Sequence, residues 1–107
     1  MSADGGLVER EECERELRRV VDRLNSMPLT RAASASAEVR RCAVTLVELG
    51  RTWGVPVPAD AILPDLEPQG LGSMIAVLAR DCLDAARRDT DLQPMLTALV
   101  ALRRALP

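Results

Sequence analysis

One aromatic side chain, Trp53, serves a chain of 107 residues that contains no Phe and no Tyr. The core must therefore be assembled from Leu, Val, Ala, Met and Ile. Strands favour aromatic and β-branched residues, whereas Leu, Ala and Met are among the stronger helix formers. An all-α fold is the expectation. Apolar residues make up 48% of the chain and charged ones 28%, the balance of a globular protein. The length suits one domain, residues 1–107, which at this size buries roughly two-thirds of its surface and needs no staples.

Periodicity agrees with composition and predicts four helices, at about 7–25, 31–50, 71–88 and 91–106, with residues 1–6 disordered. In the first, Cys13, Leu17, Val20, Val21 and Leu24 recur at helical spacing. Its early turns are acidic and its late turns basic, which suits the helix dipole, and Glu11→Arg15 and Glu14→Arg18 are favourable i,i+4 pairs. The second carries Val39, Cys42, Ala43, Leu46 and Val47 on one stripe, and Gly50 or Gly54 can supply its left-handed cap. Met74, Ile75, Leu78, Cys82 and Ala85 form the inward face of the third. Thr90-Asp-Leu-Gln93 matches a capping box for the fourth. That last helix is apolar nearly all round, the mark of a helix central in a bundle or covered by a second protomer. The architecture these elements imply is an antiparallel four-helix bundle with a long proline-rich connection between helices 2 and 3.

That connection, GVPVPADAILPDLEPQGLGS from Gly54 to Ser73, holds four prolines. It cannot be a helix, yet it is too apolar for an ordinary linker. Two arrangements fit. Val55, Val57, Ile62, Leu63 and Leu66 can lie across the bundle end against Trp53 and the fourth helix, with proline lowering the entropy lost on fixing them. Alternatively, a connection longer than about 12–15 residues serves as a lid or partner-binding loop. Packing is preferred, because five aliphatics left in water gain nothing.

The chemistry available is narrow. Without His there is no Ser-His-Asp or Cys-His triad and no His-containing zinc site. Cys13, Cys42 and Cys82 stand singly on three predicted apolar stripes, where a free thiol acts as a small hydrophobe rather than a metal ligand. Gly70-Leu-Gly72 lacks the lysine and spacing of a phosphate loop. Neither catalysis, nor a metal, nor a cofactor is expected. All cations are Arg, the net charge is −2 and acids and bases are interspersed; with no basic stripe, nucleic acid is not expected as a partner. The longest nearly apolar run, Met95 to Leu102, is far short of the ~20 residues that span a bilayer. No signal peptide is recognisable in residues 1–8, so no membrane association and a cytoplasmic location are the expectation.

Gly70-Leu-Gly-Ser-Met-Ile-Ala-Val77, opening a helix after a long loop, resembles the attachment motif of acyl and peptidyl carrier proteins. In that family a Gly-x-Asp-Ser-Leu motif begins a helix and the serine carries phosphopantetheine. The resemblance implies that Ser73 would be the bearing residue, although the Asp of the motif is Gly72 here. More broadly, "LRRVVDRLNSMPLTR", "LPDLEPQGLGSMIAVLARDCLDA" and "LTALVALRRAL" together resemble small helical proteins of actinobacterial type, a resemblance that implies no particular activity and transfers no site residues.

The function expected from all this is a non-catalytic protein–protein interaction or accessory domain, self-associating as a homo-oligomer or binding a protein partner through the fourth helix. Leu96, Leu99, Val100 and Leu102 would form the surface, joined by Trp53. The alternatives are a carrier-like domain modified at Ser73 and a helical bundle that binds an apolar ligand.

Overall fold

The structure, a computed structural model, describes residues 2–107, with side chains described from residue 7 onward. The expected disordered start, residues 1–6, thus lies outside the residues whose side chains are described. Five α-helices account for most of the chain: α1 (Ser2–Ser26), α2 (Leu29–Ser34), α3 (Ser36–Trp53), α4 (Leu71–Ala85) and α5 (Gln93–Ala105). A 3-10 turn, Pro68–Gly70, leads into α4, and there is no strand among the described residues.

Boundaries follow from local chemistry. Pro28, at φ −57° and ψ 145°, ends the preceding break and starts α2. The second predicted helix is in fact two, separated at Ala35 (φ −92°, ψ 0°). Ser34 donates its hydroxyl to Arg31 O at 2.7 Å, a back-bond that bends helices, and the Ala/Ser run around it offers no large side chain to hold one axis. Gly54 closes α3 with φ 105°, the left-handed cap that glycine adopts without steric cost. The fourth helix starts differently from expectation. Thr90 Oγ1 accepts from Arg87 N at 2.8 Å and so belongs to the preceding turn, while Asp91 Oδ1 accepts from Gln93 N at 3.0 Å; the capping box does not form. The predicted Glu14–Arg18 pair is also replaced, since Glu14 Oε2 lies 3.7 Å from Arg80 Nη1 on α4.

Four long helices surround one core, with α1 and α3 each packed against both α4 and α5. Contacts fix their directions. Arg10 reaches Leu83 O on α4 at 2.8 Å, whereas the far end of α1, at Asn25, meets Gly72; α1 and α4 are therefore antiparallel. Cys13 Sγ lies 3.9 Å from Leu92 O, and Arg23, ten residues on, donates to Pro107 O, so α1 and α5 run the same way. Between α3 and α4, Ser36 and Arg40 border one cavity with Leu71 and Met74, while Cys82 Sγ donates to Leu46 O at 3.1 Å. These two neighbours also run in parallel. An arrangement in which every successive helix reverses its neighbour does not describe these contacts, and the reason lies in the connection: a chain returning along α3 before entering α4 must set the two helices side by side in one direction.

The interior is aliphatic, as composition requires. Val20, Val39, Leu46, Ile75, Leu83, Met95 and Leu99 are fully enclosed. Among the described residues one charged residue is buried as a whole. Glu16 on α1, nearly buried, accepts from Arg103 Nε on α5 at 2.6 Å and from Arg19 at 3.4 Å, so the desolvated charge keeps two partners.

Candidate functional site

The five residues expected to form an interface are not one surface. Leu99 is enclosed and Leu102 nearly so, both in the chain's own core. Leu96 is half-buried and packs on that core, as Trp53 does at the end of α3. Val100 is half-buried. Met95, Leu99 and Leu102 take up the inner stripe of α5, which leaves Leu96 and Val100 as its large apolar side chains that are not buried.

The exposed large aliphatics lie elsewhere: Leu7 and Val8 on α1, Leu29 on α2, Val77 on α4, and Val44, Ile62 and Leu66 on α3 and the segment that follows it. From Gly54 the chain runs back beside α3 without helix until Pro68. Arg51 Nη2 donates to Pro58 O at 2.9 Å. Arg40 donates through Nη2 to Leu63 O at 3.2 Å and through Nη1 to Asp65 Oδ1 at 3.2 Å, with Pro64 O at 3.4 Å. An extended, proline-rich segment has carbonyls that no helix or sheet satisfies. Two guanidiniums on one face of α3, about three turns apart, supply the missing donors, with forked geometry suited to several acceptors at once.

This pinning orients the side chains. Ala61 and Leu63 border a cavity of about 180 Å³ with Val44, Val47 and the stems of Arg40 and Arg51. Ile62 points the opposite way, as alternation in extended chain demands, and is 86% exposed. Val55 packs at the other end, 3.3 Å from where a Cβ on Gly50 would stand. The expectation that Ile62 and Leu66 are packed is therefore corrected: Val55, Val57 and Leu63 are half-buried, while Ile62 and Leu66 face outward. The segment lies along α3 rather than across the bundle end, so only one side of it meets protein. Val44, on α3 beside that cavity, is exposed as well. The sequence carried a signal for it, an aliphatic off the apolar stripe between Arg41 and Glu48.

Ser73 is exposed in the first turn of α4. The residue before it is pinched: a Cβ on Gly72 would clash with Asn25 Oδ1. The aspartate of the carrier motif has no room there unless Asn25 moves aside.

All three thiols are buried. Burial pushes Cys13 up to about 11, with help from Glu9 and Glu12. It pushes Cys42 up to about 12, with Cys82 adding to the effect, and Cys82 up to about 11, with Asp81 adding. Thiols held protonated are poor nucleophiles and poor metal ligands.

Compared with known proteins, the chain matches no family model, no curated protein and no solved structure. The resemblances drawn from its motifs rest on the quoted residues alone.

Proposed function

We propose that this chain is a non-catalytic protein-interaction domain of the cytoplasm, a four-helix bundle that self-associates through the outer face of α3 and the segment crossing it. One observation carries the reading: Ile62, Leu66 and Val44 are exposed aliphatics on the segment and on the helix beside it, and the segment's backbone is held in place by Arg40 and Arg51. Exposed aliphatic side chains on an ordered support lose little entropy on docking, and exposed apolar surface marks interaction sites. The α5 surface is the second place to look, through Leu96 and Val100.

Mass measured by light scattering over a range of concentrations tests this. Wild type should pass from monomer to dimer, Ile62→Glu should stay monomeric with an unchanged melting temperature, and Val100→Glu should still dimerise. Dimerisation lost in Val100→Glu and kept in Ile62→Glu moves the interface to α5. A wild type that is monomeric throughout removes self-association. Leu99→Glu is unsuited as an interface probe, because it places a charge in the core and unfolds the chain whatever its partners.

Carriage of phosphopantetheine on Ser73 is the alternative. The exposure of Ser73 supports it and the crowding at Gly72 weakens it. Incubation with a phosphopantetheinyl transferase and coenzyme A should leave the intact mass unchanged; a covalent gain that maps to Ser73 would reverse the ranking.

A further inference from the structure

Beside the turn that joins α4 to α5 lies a cavity of about 220 Å³ lined by Leu7, Arg10, Arg87, Arg88, Thr90 and Leu92. Its composition is one-sided. Three guanidiniums and a hydroxyl provide donors, two leucines provide apolar wall, and among the described residues no carboxylate lines it. The pieces come from chain ends some eighty residues apart, joined because the start of α1 packs on the end of α4.

Two contacts hold the arrangement. Arg10 donates through Nη2 to Leu83 O at 2.8 Å and Ala86 O at 3.4 Å, which caps α4. Thr90 Oγ1 accepts from Arg87 N at 2.8 Å, so its own proton is available to donate. The turn holds two acids: Asp91 accepts from Gln93 N at 3.0 Å on the α5 side, and Asp89 is exposed; neither lines the cavity. Arg87 and Arg88 are exposed, and capping α4 needs only Arg10.

We propose that this notch binds a small oxyanion carried on an aliphatic body, the oxyanion on Arg87, Arg88 and Thr90 and the aliphatic part against Leu7 and Leu92. Guanidinium forks match carboxylate and phosphate oxygens in geometry as well as charge. The cavity is smaller than the ~300–1,000 Å³ of sites for drug-sized molecules, so the occupant is small. The reading is independent of the exposed aliphatics on the segment beside α3, which lies on a different part of the chain.

Titration of the amide NMR spectrum with octanoate, octyl phosphate, octanol and inorganic phosphate is the test. Either octyl anion should bind saturably, shifting the amides of Arg87 to Leu92, and the stronger of the two identifies the headgroup. Arg87→Ala/Arg88→Ala should weaken binding by about tenfold or more, the scale of losing charged hydrogen bonds, and Leu7→Ser should weaken it less. Both sites are exposed, and an unchanged melting temperature shows that the variants fold. Equal binding of octanol would make the notch merely apolar, equal binding of inorganic phosphate would make it merely cationic, and either overturns the proposal. Shifts at other residues, no saturation by either anion, or undiminished binding in the double arginine variant overturn it as well.

Discussion

A thiol inside this core has every reason to keep its proton. Cys13, Cys42 and Cys82 are raised by burial from 9.0 to about 11, 12 and 11. Between pH 9 and 11 the folded state then binds more protons than the unfolded chain, so stability falls as pH rises through that window and is unaffected below it. The composition makes the experiment clean. With no Tyr and no Lys in the sequence, cysteine is the only side chain whose ordinary titration falls there. Urea unfolding at pH 8 and at pH 10.5 should show a clear loss for wild type, and a variant with all three cysteines changed to Ala should be less stable at pH 8 but nearly flat across the same range. An equal slope in both proteins would show that the thiols are not the cause. That the cysteines occupy the apolar stripes was legible in the sequence, because helical spacing fixes the face on which each residue lies.

At the scale of the element, α3 shows how an end is decided. Gly54 has φ 105°, and a Cβ there would meet nothing within 4 Å. The cost of Gly54→Ala is therefore conformational alone and should come to about 1 kcal/mol in urea unfolding, the usual penalty for an L-residue in the left-handed region. A loss of several kcal/mol would mean that the connection beyond it is disturbed too. Placing a cap near Gly50 or Gly54 was within reach of the sequence, as were the apolar faces of α1, α3 and α4. The division of α2 from α3 was not: in Ala32 to Ala37 nothing is large enough to print a face on the sequence, so packing chooses the break. The start of α5 escaped as well. A capping-box pattern at Thr90 competes with a turn in which the same hydroxyl accepts from Arg87 N, and local sequence cannot rank the two.

For the molecule as a whole, the direction of the return after α3 matters most. An 18-residue helix is about 27 Å long, and extended chain at ~3.3 Å per residue needs roughly eight residues to retrace it. Deleting residues 56–67 leaves too short a link for α4 to start beside the start of α3, and should abolish cooperative melting or drive exchange of helices between copies, seen as a higher-order mass. Deleting Ala59 and Asp60 preserves both sufficient length and the in–out alternation, and should melt cooperatively. A native-like melt in the longer deletion would show that α3 and α4 are not parallel neighbours. The interaction surface belongs to this scale too. Leu99 and Leu102 look like candidates when α5 is viewed alone, and are buried once α1 and α3 flank it; Ile62 looks like core until the crossing segment is seen to have protein on one side only.

By itself, then, the sequence determined the class of structure and the inward face of most helices. Aliphatic composition disfavours strands, and a period of 3.6 residues is a local property that survives whatever the chain packs against. Tertiary structure alone decided that α3 and α4 run in parallel, that Arg40 and Arg51 hold the segment between them, and that Arg10 joins Arg87 and Arg88 around one notch. Each of these depends on which distant surfaces bury each other, a choice settled by the summed packing of the whole chain rather than by any stretch of it.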